Sequence, residues 1–217
     1  MIIATGNPFS KATPSADARK TEVFKWQNEE NSICDLPDVP IEIEGAVTVT
    51  ISDTQYVCGG GYPESAQCFN LITGDKAPFN LLHKRFGASS VATNNKVYVF
   101  GGRNGTNILA SYETINVNHA QSEGVLPFTF KSGCATLVNS TNILLAGGWQ
   151  DGSIAAMTWL FNFEKEEWTK GPSMIEGRIN FGCGLIKSIN SVAVFGGHLA
   201  TTEIVKLPGG SFKNGNC

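Results

Sequence analysis

The feature that most limits how this chain can fold is a spacing. Gly45, Gly87, Gly133 and Gly182 each lie 14 residues before the first member of a glycine doublet. The doublets are Gly59-Gly60, Gly101-Gly102, Gly147-Gly148 and Gly196-Gly197, whose first members are 42, 46 and 49 residues apart. The text between the markers reads alike: "GAVTVTISDTQYVCGG", "GASSVATNNKVYVFGG", "GCATLVNSTNILLAGG" and "GCGLIKSINSVAVFGG". Small and β-branched residues come first, then polar turn residues, then an apolar run that stops at the doublet. The turn residues are Asp53, Asn94-Asn95, Ser140-Thr141-Asn142 and Ser188 to Ser191. Two apolar runs divided in this way are a β-hairpin signature, strands a and b.

After each doublet and a loop of variable length a third strand, c, is expected: "AQCFNLI" (66–72), "ASYETINV" (110–117), "MTWLFNF" (157–163) and "TTEIVKL" (201–207). A fourth, weaker strand d follows in places, most clearly at "EEWTKGPSM" (166–174). Each unit is then four antiparallel strands. One such sheet cannot bury both of its apolar faces alone, whereas sheets stacked radially around an axis can, which is a β-propeller. A sandwich would not explain the fixed interval. Composition fits an all-β chain of short strands and tight turns: 24 glycines in 217 residues, 41% hydrophobic and only 16% charged. The net charge of −3 carries no polyanion footprint, so no nucleic-acid partner is expected. No apolar run is long enough to cross a membrane as a helix.

A strand ending in Gly-Gly, an aromatic strand about ten residues on, then a Trp and "GPSM", resembles the kelch repeat. The best match is the unit from Gly133 to Met174, with "LLAGG", "WLFNFEKEEW" and "GPSM"; Trp168 has no counterpart in the units ending near Lys76 or Glu123. The resemblance implies a kelch-type β-propeller of four-stranded antiparallel blades. Kelch folds carry many functions, so it implies little about activity.

The two ends echo one another. "IIATGNP" (2–8) reads as a degenerate strand b with Thr5-Gly6 in place of the doublet, and "KTEVFKWQNEENSIC" (20–34) parallels "TTEIVKLPGGSFKNGNC" (201–217). The first residues lack the basic region and apolar length of a signal peptide, so the chain is read as starting inside a repeat. The expected blades are 1–36 (partial), 37–77, 78–124, 125–170 and 171–217 (partial, stopping just before strand d). That is four to five blades of an incomplete propeller, with further blades outside these residues.

There are six cysteines. Cys58 and Cys68, on neighbouring strands of one blade, are expected to form a cross-strand disulfide. Cys-Gly-Gly followed by a strand-c Cys is also similar to metazoan secreted kelch-type proteins. Cys134 and Cys183 hold the same strand-a position in adjacent blades, and either pair between blades or stay as buried thiols. Cys34 and Cys217 read as equivalent positions before strand d. Sequons at Asn104 and Asn139 fall in predicted loops and, with the even cysteine count, favour the secretory pathway or the extracellular space over the cytoplasm.

No catalytic constellation is found. His83, His119 and His198 stand far apart, and no metal-ligand spacing accompanies them, so no metal or cofactor is expected. The glycine doublets run into loops and strands rather than helices, which excludes a phosphate loop. Binding is the better expectation, at the rim where b–c and d–a loops converge. The candidates there are Tyr62, Arg85, Arg103, Trp149, Gln150, Asp151, Arg178 and His198, because exposed Trp and Arg are typical of binding hot spots. The function expected is a non-enzymatic protein-interaction module of a secreted protein. The alternatives are an intracellular kelch adaptor of a ubiquitin ligase and a copper enzyme of galactose-oxidase type.

Overall fold

The computed structural model describes residues 37–207 and 209–215, together with the backbone of three earlier strands, β1 (Ile2–Thr5), β2 (Thr21–Phe24) and β3 (Ile33–Asp35). These three pair in the order β1-β2-β3, as strands b, c and d of a blade. Cys34 lies opposite Val23 on β3, so its equivalent in the last blade is Lys213, which faces Ile204, and not Cys217. Gly6, the expected end of the degenerate doublet, and Cys217 lie outside the described residues.

Four complete four-stranded antiparallel sheets follow. The first is β4 (Val47–Ile51), β5 (Thr54–Cys58), β6 (Gln67–Asn70) and β7 (Lys76–Asn80). In the second, β8 (Ser89–Ala92) and β9 (Lys96–Phe100) are followed by a small hairpin, β10 (Arg103–Asn104) and β11 (Asn107–Ile108). Strands β12 (Ser111–Asn116) and β13 (Gln121–Val125) complete that blade. The third has β14 (Cys134–Leu137), β15 (Asn142–Ala146), the hairpin β16 (Trp149–Gln150) and β17 (Ser153–Ile154), then β18 (Thr158–Asn162) and β19 (Glu167–Lys170). The fourth has β20 (Gly182–Ile186), β21 (Ser191–Phe195), β22 (Thr202–Lys206) and β23 (Lys213–Asn214).

A strand d is present in every one of these blades. Strand β7 carries the first blade past residue 77 to Asn80, and β23 supplies the strand d that the sequence reading left off the last blade. Strand β7 alternates, with Ala77 and Phe79 buried between exposed residues. Strand β13, "QSEGV", has no apolar pattern and is held by its pairing to β12.

The strands b are apolar on both faces because they lie between neighbouring blades. Val97 and Val99 of β9 pack with Tyr56, Cys58 and Phe79 of the first blade. Tyr98 and Phe100, one residue out of phase, pack with Ile143, Leu145 and Phe161 of the third. Likewise Leu144 and Ala146 pack with Val192 and Val194 of the fourth. The four strands a, β4, β8, β14 and β20, lie side by side in that order. A ladder of backbone hydrogen bonds crosses them: Gly87 N–H donates to Gly45 O (2.7 Å), Ser132 N–H to Gly87 O (2.7 Å) and Asn180 N–H to Ser132 O (2.8 Å).

The doublets join each blade to the next. The N–H groups of Gly60, Gly102 and Gly148 each donate at 2.7 Å to a d–a loop carbonyl of the following blade, those of Arg85, Phe130 and Arg178. A Cβ on Gly59 or Gly147 would sit 2.6 or 2.9 Å from the same carbonyl oxygens, and one on Gly101 would collide with that of Phe130. Their φ values of +71°, +55° and +60° reinforce the demand for glycine. Among the described residues, no sheet closes the stack onto its other end.

Two disulfides reinforce this frame. Cys58–Cys68 joins directly opposed residues of β5 and β6 (Cα–Cα 4.1 Å). Cys134–Cys183 ties the strands a of the third and fourth blades (Cα–Cα 5.9 Å).

Candidate functional site: a rim cleft shared by three blades

The b–c loops of the first three blades meet around a cleft of about 620 Å³. Tyr62, Pro63 and Glu64 form one wall, Arg103, Gly105, Thr106 and Ile108 of the β10–β11 hairpin form another, and Lys131 and Trp149 close the third side. A second cleft of about 650 Å³, with Glu42, Gln67 and Lys84 in its walls, lies on the other side of the Tyr62–Pro63–Glu64 loop. That loop is therefore a ridge between two troughs, and Tyr62 stands on it 75% exposed.

Three of the residues picked from sequence come together here. Arg103 is only partly exposed. Its Nη2 pairs with Glu64 Oε1 at 2.9 Å, its guanidinium lies 5.0 Å from the centre of the Phe86 ring, and its buried Nε has no hydrogen-bond partner. Trp149 is half-buried. Its backbone exchanges two hydrogen bonds with Lys131 (2.8 and 3.2 Å), and the Lys131 ammonium lies 5.8 Å from its indole centre. The cleft thus offers two cations, each resting on an aromatic face, beside exposed phenol and apolar surface. Lys131 was missed in the sequence; it precedes the marker Gly133 by two residues, which places it on a d–a loop.

The other candidates lie elsewhere. Arg85 and Arg178 are not rim groups: both are fully buried. Arg85 Nε bonds Glu113 Oε1 at 2.7 Å, and its Nη1 reaches the carbonyls of Gly101 (2.5 Å) and Ser111 (3.1 Å). Arg178 repeats the arrangement, with Nη2 at 2.9 Å from Glu203 Oε1 and Nη1 at 2.7 Å from Thr201 O. Each carboxylate also accepts two N–H groups of the d–a loop, Leu82 and His83 on Glu113, Ile175 and Glu176 on Glu203. These pairs weld loop to strand c. A sequence signal existed for them: Glu113 and Glu203 are acidic residues inside strands c, in the same two blades whose d–a loops carry an arginine. In the third blade Phe130 fills the arginine's place and Trp159 the glutamate's place on strand c; both belong to one apolar layer, and Trp159 stacks on Phe128 (4.8 Å).

Gln150 is also buried and structural; it donates to Gly147 O (2.6 Å) and accepts from the Trp159 indole N–H (3.3 Å). Asp151 is exposed, but its carboxylate holds the Thr129 N–H (3.0 Å) and hydroxyl (3.2 Å), fastening one loop to another. His198 is exposed on the fourth blade and lines neither cleft. His83 pairs with Glu123 at 2.9 Å, and His119 stacks on Phe79. Burial raises the Glu123 carboxyl, but the His83 and Ser111 hydrogen bonds and the nearby Arg85 charge outweigh it and hold the group below its ordinary value. Among the described residues, no three His, Cys, Asp or Glu side chains gather as a metal site.

The two sequons differ in setting. Asn139 is exposed in an a–b turn, where its Oδ1 accepts the N–H groups of Thr141 (3.0 Å) and Asn142 (2.8 Å). Asn104 is half-buried at the base of the β10–β11 turn, next to the cleft-lining Gly105 and Thr106.

A sequence model described as the Kelch motif matches residues 84–117 and 131–175, which span strands a to c of the second blade and all of the third. Both segments carry the kelch motif. The fold agrees: a solved structure titled "Structure of YjhT" superposes with a TM-score of 0.71 over 91% of this chain and 77% of its own, at 15% identity. At that identity the likeness extends to the kelch-type propeller fold and not to activity. No curated protein matches.

Proposed function

We propose that this kelch-repeat chain is a protein-interaction module, not an enzyme, of a secreted protein, and that its partner seats in the rim cleft bounded by Tyr62, Arg103, Lys131 and Trp149. The observation that carries this reading is the convergence of three successive b–c loops on one concave surface with an exposed aromatic and two cations. A site assembled from three blades is addressed by a ligand that contacts all of them, which suits a protein segment. Two disulfides support an oxidising compartment over the cytoplasm, and so favour this reading over an intracellular ligase adaptor. On the same reading Asn139 carries a glycan and Asn104, at the cleft edge, stays bare.

The test is selection of peptides from a displayed library on the immobilised chain, followed by affinity measurement on Trp149→Ala and Arg103→Ala. Each variant is expected to weaken the selected peptides at least about tenfold, as hot-spot truncation does, with the melting temperature nearly unchanged. Undiminished affinity, or a stability loss that accounts for the weakening, overturns the assignment.

A further inference from the structure

On the face opposite the rim, where the a–b and c–d turns lie, the seams between blades widen along the chain. A cleft of about 40 Å³ lies between the first and second blades, with Ile51, Val97 and Ile115 in its walls. The next seam leaves about 340 Å³, walled by Tyr98, Leu137 and Phe163. The third leaves about 560 Å³, between Leu160 and Pro172 of the third blade and Leu207, Gly209 and Gly210 of the fourth. The two glycines give the fourth-blade wall little side-chain bulk. The space beside Gly209 is open: a Cβ there would meet no described atom within 4 Å.

Asn139 stands on the lip of this third cleft. Its Oδ1 accepts the N–H groups of Thr141 and Asn142, and the Asn142 Nδ2 group as well (3.0 Å). A backbone N–H cannot accept a hydrogen bond, so these contacts fix which atom of the amide is the oxygen. Nδ2 is therefore on the side away from those donors, and among the described residues it makes no hydrogen bond. It is the atom that an N-glycan occupies.

We propose that the N-acetylglucosamine linked to Asn139 seats in this cleft and closes the seam between the third and fourth blades. The proposal rests on the secreted reading above, which puts a glycan on Asn139. The new bond joins Nδ2 to C1 of the sugar as the C1–O bond to a lipid pyrophosphate donor breaks; the amide gives up one proton and the pyrophosphate leaves. The folded chain then holds a tethered ligand. A sugar tied at the lip is present at an effective concentration of about millimolar or more, so contacts too weak to hold it free are enough. Leu160, Pro172 and Leu207 offer an apolar bed to its N-acetyl methyl and ring face, and Thr169 and Asn190 supply groups that pair with its hydroxyls. The fourth-blade turn it covers is loosely held, since Leu207 N–H reaches Asn190 O only at 3.4 Å. The sugar and the Cys134–Cys183 bond thus tie the same two blades.

The test makes the chain through the secretory pathway of a eukaryotic host and compares three forms. One carries the intact glycan, one is trimmed by an endoglycosidase to a single N-acetylglucosamine, and one is Asn139→Asp, which keeps the acceptor oxygen and drops the sugar. Where that variant folds poorly, enzymatic release of the whole glycan from the folded protein takes its place. The amides of Leu207 and Gly210 are expected to exchange at least about threefold more slowly in both sugar-bearing forms than in the bare one. The N-acetyl methyl is expected to show nuclear Overhauser contacts to the Leu160 and Leu207 methyls. Equal exchange in all three forms, without those contacts, means that the sugar stands in solvent, and overturns the seat while the secreted reading stands. Slowing that is lost on trimming to one sugar belongs to the outer sugars and overturns the seat as well. An Asn139 left bare in the secreted product overturns the inference together with the glycan assignment. Peptide affinity is read at the rim, on the opposite face, so failure of that assignment leaves these results unchanged.

Discussion

Arg85 shows how a residue type can mislead. An arginine in a loop between strands suggests a solvent-facing contact, but here the guanidinium is buried and its partner, Glu113, lies 28 residues away. Sequence proximity held no trace of that pairing; the acidic residue inside an apolar strand did. Removing one partner strands the other, so Glu113→Ala is expected to cost about 3–5 kcal/mol in urea unfolding. The double variant Arg85→Met/Glu113→Leu is expected to recover at least half of that loss, since the third blade fills the same two positions with apolar side chains, Phe130 and Trp159. Recovery stays incomplete because Glu113 also holds Leu82 and His83 N–H. Tyr112 gives a second measurement. Burial, then the charges of Glu166 and Tyr98, push its phenol up to about 12. The unfolded chain ionises near ~10, so above that pH the unfolded state holds fewer protons and stability falls as pH rises. Alkaline titration of tyrosinate absorbance is expected to show Tyr112 appearing late, together with loss of the native far-ultraviolet signal.

At the level of elements, strands a, b and c were legible because each couples an apolar pattern to a glycine marker. Strands d were less so. Strand β13 has no apolar alternation, and β23 is two residues long; both exist because a neighbouring strand offers them hydrogen bonds. The glycine doublets were legible as punctuation, but not as joints, since the carbonyl each one meets belongs to the next blade. Two glycines separate the causes. Gly105, with φ +61° and open space around it, needs only its backbone angle, whereas Gly101 needs the angle and the space. Gly105→Ala is expected to cost about 1–2 kcal/mol, the penalty of a left-handed residue. Gly101→Ala is expected to exceed about 4 kcal/mol, because Phe130 and the blade behind it must move. Equal losses in chemical unfolding would show that the junction yields more readily than its packing implies.

Across the whole molecule, blades meet blades through three apolar layers, the backbone ladder of the strands a, and the Cys134–Cys183 bond. That bond closes a loop of 49 residues, worth about 4 kcal/mol by the chain-entropy relation, against about 3 kcal/mol for the shorter loop at Cys58–Cys68. Cys134→Ser/Cys183→Ser is accordingly expected to lower the denaturation midpoint more than Cys58→Ser/Cys68→Ser does. The rim cleft was partly readable: loops that follow each doublet had to converge, but which of their side chains remain at the surface depended on contacts between blades. Those contacts also bear on how a repetitive chain avoids mistakes. Similar repeats risk docking in the wrong order. Here the second seam is aromatic, with Tyr98 and Phe100 against Phe161, whereas the third sets Leu144 and Ala146 against Val192 and Val194. A blade that slipped by one place would set small aliphatic side chains against a bed shaped by rings. Each seam therefore carries its own address, written in the shape of its side chains, and the penalty for misreading it falls while the chain is still assembling.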